Sequence, residues 1–423
     1  MKKVIIVKGP ALSRSGYGEQ ARFALRALAS REDILDIYLV NISWGNTGMI
    51  SHSHPEREGL DDLILKTTHY VQTATEAQQP PHFDISLQIT IPNEFEKIAP
   101  VNIGYTAGIE TSKIAPHWIE KINGMVDKVI TISNHSKKVM EQTTYDLSDQ
   151  GIPEFKVDKP IEVINYAVKN IEPDPNGLDI PFETTKNFLC VSQWGPRKNL
   201  ENTVRWFLDE FYEDGDVGLV LKTNTANDSH LDRVHTSNRL ANLINDFPDR
   251  KCKLYLLHGQ LTEEQLTWLY QHPSMQALLN IGHGEGFGLP LFEAAYNGLP
   301  LVTVTWSGQM DFICRPNKKK KMIPQVIKVD YDLKPVQPEA HWEGVIQADS
   351  MWSFARKASY KRAIRDVLTK KIHYKNQAKG LQKYILENFK EEEIYAKFVS
   401  YIVDEEEFNV ESWLDGLDLE VHD

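Results

Sequence analysis

The chain has 423 residues, comfortable for two domains of about 200 residues each and long for a single core. Hydrophobic residues make up 41% and charged residues 25% of it, the balance of an ordinary soluble globular protein. With 59 acidic and 47 basic side chains the formal charge is −12, so the surface as a whole repels nucleic acid and anionic lipid.

Cys190, Cys252 and Cys314 stand far apart without C-x-x-C spacing, which argues against a disulfide framework and a thiolate metal site. Each reads as a small core residue. No apolar run approaches the roughly 18–20 residues of a membrane span, and the apolar part of MKKVIIVKGP is too short for a signal peptide. A cytoplasmic protein is expected.

Val4–Val7 is a β-branched run suited to a buried first strand, and it opens into GPALSRSGYGEQ before a helical pattern at Ala21, Phe23, Ala24, Leu25 and Leu28. Strand, glycine loop and helix form the first unit of a nucleotide-binding α/β sheet. Gly16-x-Gly18 lacks the third glycine of the dinucleotide fingerprint, so a plain surface loop competes with that reading. Leu35–Ile42, Phe83–Ile89, Val101–Thr106 and Asp127–Ile132 continue the strands, with Ser133 and Asn134 capping the next helix. Glu110 stands in the loop of YTAGIETSKIAPHWIEK, where an exposed loop acid is the plainer reading. His52 and His54 lie in a polar loop without further metal ligands. After Ile161–Val168, the stretch NIEPDPNGLDIPFETT has no periodicity and reads as a linker.

The alternation then restarts. Strands are expected at Phe188–Ser192, Val217–Thr223, Lys253–His258 and Ala277–Ile281, with helices at Leu200–Phe211, around Leu240–Phe247 and at Glu263–Tyr270. This spacing implies right-handed crossovers, a parallel sheet, and a ligand at the carboxyl ends of the strands. Arg197 and Lys198 in SQWGPRKNL, and Lys222 ending VGLVLKTN, are cations at such ends suited to a diphosphate. His258 and Gly259 close another strand, and Trp306-Ser307-Gly308 forms a turn on the same rim. In GHGEGFGLPLFEAAYNGLP, Gly284, Gly286 and Gly288 predict a mobile loop, Pro290 opens a helix, and Gly298 with Pro300 ends it. Unpaired N–H groups at that helix start suit an anion. Glu285 and Glu293 suit vicinal hydroxyls, since a carboxylate accepts hydrogen bonds in pairs; alternatively Glu293 complements the helix dipole and Glu285 is a loop charge. Lys318–Lys321 reads as a solvated loop. Met351–Leu368 and Ala378–Phe389 read as amphipathic helices, followed by an acidic tail with Phe408, Trp413 and Leu414 as its candidate docking residues.

E-G-F-G-L-P-x-x-E-A, with seven residues between Glu285 and Glu293, resembles the E-x7-E signature of the large retaining GT-B glycosyltransferase family. The resemblance implies an α/β fold of two Rossmann-like doubly wound domains facing a central cleft. Residues 1–170 then form the acceptor domain, 171–186 the linker and 187–379 the nucleotide-sugar domain; 380–403 cross back to the first domain and 404–423 form the tail. It implies transfer of a sugar, expected to be a hexose, from a UDP-, GDP- or ADP-sugar with retention of anomeric configuration.

In residues, the resemblance implies that Glu293 binds the ribose, Glu285 meets the transferred sugar, and Lys198 and Arg197 hold the diphosphate. The family often has an arginine where this chain has Gln193, so Arg197 or Lys222 is left to supply the second cation. Gly286, Phe287, Gly288 and Leu289 supply backbone contacts, Gly16 and Gly18 take the place of an early glycine loop, Glu110 that of a cleft acid, and His258 lies near the base. Asp214-Gly215-Asp216 falls at the wrong end of the sheet, so neither a metal nor a cofactor is expected. The alternatives are a sugar-nucleotide epimerase or phosphorylase on the same fold, or a non-catalytic sugar- or nucleic-acid-binding relative. The acceptor stays open among glycan, lipid-linked sugar, modified nucleobase, protein and small molecule.

Overall fold

The computed structural model describes residues 2–403; the acidic tail and its docking residues lie outside them. The first sheet holds β1 (Lys3–Gly9), β2 (Leu35–Asn41), β3 (Ile85–Ile89), β4 (Val101–Thr106) and β5 (Lys128–Thr131). A hairpin of β6 (Tyr145–Leu147) and β7 (Ile152–Phe155) precedes its last strand, β8 (Ile161–Val163). The order is β2-β1-β3-β4-β5-β8, every pair parallel. Helices cover both faces, which is why these strands are near-continuous apolar runs; β3 is buried at all five positions.

The second sheet holds β9 (Lys186–Gln193), β10 (Val217–Asn224), β11 (Lys253–Leu257), β12 (Met275–Asn280) and β13 (Leu301–Val304). After the hairpin of β14 (Cys314–Pro316) and β15 (Met322–Pro324) comes β16 (Ile327–Val329), and the order is β11-β10-β9-β12-β13-β16, again parallel. In the first sheet the order reverses between β1 and β3, and in the second between β9 and β12. Loops leaving adjacent strands in opposite directions open a crevice there.

One element differs from expectation. Met351–Leu368 is not one helix: β18 (Met351–Ala355) pairs antiparallel with β17 (Tyr331–Pro335), and the helix begins only at Lys357. The aromatic run Met-Trp-Ser-Phe favours a strand once a partner is at hand, and Trp352 is wholly buried. The last strand of the first sheet, β8, ends at Val163, where the chain leaves the sheet and Asn165 Nδ2 donates to Ile132 O at 2.9 Å.

Residues 171–185 hold no helix or strand. They lie against the second sheet's helices, Gly177 so close to Trp268 that a Cβ would sit 2.5 Å from the indole. Helix Lys371–Asn388 packs on helix Leu289–Tyr296, and helix Glu391–Ile402 packs on helix Gly16–Ala29 of the first domain. At the crossing, Val168 N–H donates to Phe389 O at 2.9 Å, so two passes of the backbone run side by side. One apolar cluster surrounds them: Phe23 meets Tyr166 at 5.4 Å and Phe398 at 5.6 Å, Tyr166 meets Phe287 at 5.2 Å, and Phe292 meets Phe389 at 5.4 Å. Burying each ring stabilises by about 1.5–3 kcal/mol, with edge-to-face geometry adding to it.

A second bridge comes from the segment between β17 and β18. Its Val345 is buried among Phe95, Ile114 and Trp118 of the first domain, while Asn93 Nδ2 donates to Gly344 O at 3.1 Å. No described helix is long and apolar enough to cross a membrane.

Candidate functional site

The loops after β9 and β12, which flank the reversal of the second sheet, are tied together. Asn199 Nδ2 donates to Ile281 O at 3.1 Å, and His283 N–H donates to Arg197 O at 2.8 Å. The His283 ring lies flat on Trp352 at 4.9 Å, and its Nδ1 meets Ser353 O at 2.6 Å. The unexpected strand β18 therefore braces this loop from behind.

Within that frame Glu285, only 4% exposed, gathers the cations. Lys198 Nζ lies 2.7 Å from both of its oxygens, Arg197 Nη1 is 3.1 Å from Oε2, and Asn280 Nδ2 donates to Oε1 at 3.0 Å. Arg197 Nη1 also donates to Gly284 O at 2.6 Å and ion-pairs across the cleft with Glu110 at 3.3 Å. Burial raises the Glu285 carboxyl, but the Lys198 and Arg197 charges outweigh it and hold it at about 2. Burial, with Arg197 beside it, lowers the Lys198 ammonium from its usual value despite Glu285.

The glycine loop is packed rather than mobile. Residues 281–288 are all buried, because missing side chains here permit close approach. A Cβ on Gly284 would meet Glu110 O at 2.8 Å, and one on Gly286 would meet Ala107 O at 3.0 Å, both in the first domain. Only Gly288, at φ +97, uses the left-handed region, and it caps helix Leu289–Tyr296, which carries Pro290 in its first turn. Phe287 is buried among Tyr166, Phe292 and Phe312, leaving its backbone as its only polar offering.

Glu293 faces elsewhere. Its Oε2 accepts from the Tyr270 hydroxyl at 2.9 Å, and it lines a cavity of about 20 Å³, room for roughly one water, with Glu19, Tyr166, Lys169 and Leu289. Burial raises its carboxyl to about 7, with Tyr270 and Lys169 pulling the other way. Lys169 Nζ spans Glu19 at 2.7 Å and Glu263 at 2.6 Å, bridging the two domains beside this carboxyl. So the seven-residue spacing directs one carboxylate to the cation cluster and the other to the domain junction.

Gly18 and Gly16 differ in kind. A Cβ on Gly18 would lie 1.9 Å from Ser13 O, whereas one on Gly16 would meet nothing within 4 Å. Gly16 therefore opens the helix on free space, while Gly18, whose N–H donates to Ser15 Oγ at 3.0 Å, belongs to the turn. His258 Nε2 is 2.8 Å from Asp232 Oδ1, and the Asp232 carboxylate accepts from the N–H groups of Thr225, Ala226 and Asn227. His258 thus props the loop after β10. Lys222 does not join Arg197 and Lys198; the charges acting on it are Arg14 and Asp228.

Asp216 accepts from Thr185 N–H at 2.8 Å at the amino end of β10, away from the crevice. A second D-x-D, Asp330-Tyr331-Asp332, pairs its carboxylates with Arg362 and Arg356. Among the described residues no group of three His, Cys, Asp or Glu side chains is placed to hold a metal ion. The sequence reading missed Asn280, Tyr270 and Lys169. Asn280 directly precedes the glycine loop and was within reach of it; Tyr270 and Lys169 gain their partners only through folding.

No family model and no curated protein sequence matches the chain. Among solved structures it is similar to sucrose-phosphate synthase from Thermosynechococcus elongatus, with a TM-score of 0.60 and 13% identity over 95% of this chain and 98% of that one. It is similar to a glycosyltransferase from Rickettsia africae, with a TM-score of 0.55 and 14% identity over 95% and 98%. HepE from Anabaena, in complex with UDP-glucose, matches with a TM-score of 0.55 and 12% identity over 94% and 98%. Likeness at this level of identity is one of fold: the chain has the GT-B architecture, two Rossmann-like sheets about a cleft.

Proposed function

We propose that this chain is a glycosyltransferase that moves a sugar, a hexose by preference, from a nucleoside diphosphate sugar to an acceptor with retention and without a metal ion. The observation that carries the reading is the meeting of Lys198, Arg197 and Glu285 at the strand reversal of the second sheet, with Glu110 facing them from the first. In the unliganded chain Glu285 partners both cations. A diphosphate would take its place, forming charge-assisted bonds worth about 1.5–3 kcal/mol each, and free Glu285 to accept from sugar hydroxyls. As the diphosphate departs, its new negative charge falls on Lys198, Arg197 and the N–H groups opening helix Leu289–Tyr296, while the sugar carbon becomes oxocarbenium-like. The acceptor oxygen then bonds to that carbon and its proton passes toward the leaving phosphate, with no enzyme nucleophile. Glu293 takes the ribose once Lys169 yields its bridge.

The test is calorimetric binding of UDP, GDP and ADP in the presence of EDTA, on the native protein and Lys198→Met. UDP comes first because HepE holds UDP-glucose. One nucleotide is expected to bind without metal, and the variant to weaken it at least tenfold. Binding of none of the three by the native protein overturns the reading.

A further inference from the structure

A second group of cations lies off the strand reversal. Lys222 is near the carboxyl end of β10, half-buried, and among the described residues its ammonium makes neither a hydrogen bond nor an ion pair. Burial, with the Arg14 charge, lowers it to about 8. Arg14, from the loop after β1, is the other cation whose charge acts on it, and the Arg14 Nε donates to Met49 O at 3.2 Å. Asp228, the acid acting on both, accepts a hydrogen bond from Gln260.

Lys222 lines a cavity of about 450 Å³ over the ends of β10 and β11. Arg233 and Ser237 line it too, the exposed Arg233 guanidinium without a hydrogen bond or ion pair among the described residues; Leu257 and Leu261 form apolar wall, and Asp179 at the rim is exposed. In strand order β11-β10-β9-β12, this cavity is on the side of β9 away from the Glu285 cluster. An ammonium withdrawn from water needs an acceptor, and two donors-only side chains beside a hydroxyl favour an oxyanion. The volume falls in the range of ligand pockets and admits a phosphate with a small polyol attached.

We propose that this cavity is a second anion site, gripped by Lys222 and Arg233, that takes the phosphomonoester group of an anionic acceptor. The anion site stands on its own geometry, whereas its use by an acceptor rests on the transferase reading above.

The experiment is titration calorimetry with glycerol 3-phosphate, orthophosphate and uncharged glycerol, with and without saturating UDP, on the native protein, Lys222→Met and Lys222→Arg. Glycerol 3-phosphate is expected to bind with UDP present, glycerol not to bind, Lys222→Met to weaken the phosphomonoester at least tenfold, and Lys222→Arg to restore most of it. Absence of phosphate binding, indifference to Lys222→Met, or displacement by UDP overturns the proposal, the last by giving the cavity to the nucleotide. Orthophosphate binding more than tenfold tighter than glycerol 3-phosphate overturns the acceptor role in favour of free phosphate. If native protein fails to bind UDP yet loses phosphate binding with Lys222→Met, the donor reading fails and the anion site stands.

Discussion

Glu285 and Glu293 are eight residues apart in sequence and carry opposite electrostatics. Glu285 is buried among cations and stays ionised; Glu293 is half-buried beside a phenol and holds its proton to about neutral pH. Because the folded Glu293 carboxyl titrates near 7, above the usual 4.5, the native state binds the extra proton in that window. Its contribution to stability is complete below about pH 4.5 and is lost as the pH rises through 7, on the order of 3 kcal/mol in all. Glu293→Gln, which keeps the shape and cannot ionise, is expected to melt with a flatter pH dependence between 5 and 8 than the native protein, as measured by thermal melts across that range. Unchanged curvature would mean that Glu293 is already ionised. The two glutamates were legible as a pair from their spacing and neighbours. Their different surroundings were not, since Tyr270, Lys169 and Lys198 reach them from other elements.

At the scale of elements, the βα alternation was legible because parallel strands covered on both faces are unbroken apolar runs, and helices between them show a second period. What escaped were places where a local pattern admits two answers. The segment from Met351 to Leu368 satisfies a helical period, yet its first five residues pair with Tyr331–Pro335, a partner no local pattern reveals. Glycines were read as freedom, and several are instead close contacts. This yields a contrast within one turn: Gly18→Ala forces a Cβ to 1.9 Å from Ser13 O, while Gly16→Ala enters open space at a helix start. Gly18→Ala is expected to cost at least about 2–3 kcal/mol or to abolish soluble expression, and Gly16→Ala to leave the melting temperature level or raise it slightly. Chemical denaturation of the two variants side by side decides it, and equal stabilities would refute the close-contact reading.

Across the whole molecule, the two sheets are not independent bodies on a string. The aromatic cluster around Val168 and Phe389 joins them at one place, and Val345 reaches from the second domain into the first domain's core at another. Val345→Ser removes an apolar anchor and places a hydroxyl in that core, an expected loss of about 1–3 kcal/mol. It is also expected to enlarge the radius of gyration in solution scattering, whereas a purely local effect would lower stability and leave that radius unchanged.

The Val345 contact bears on timing as well as strength. Side-by-side backbone passes make a natural pivot, but a pivot with a bolt does not swing until the bolt is drawn. Turning the domains apart would draw that side chain from its socket and break the Lys113–Asp349, Asn134–Asp311 and Arg197–Glu110 contacts with it.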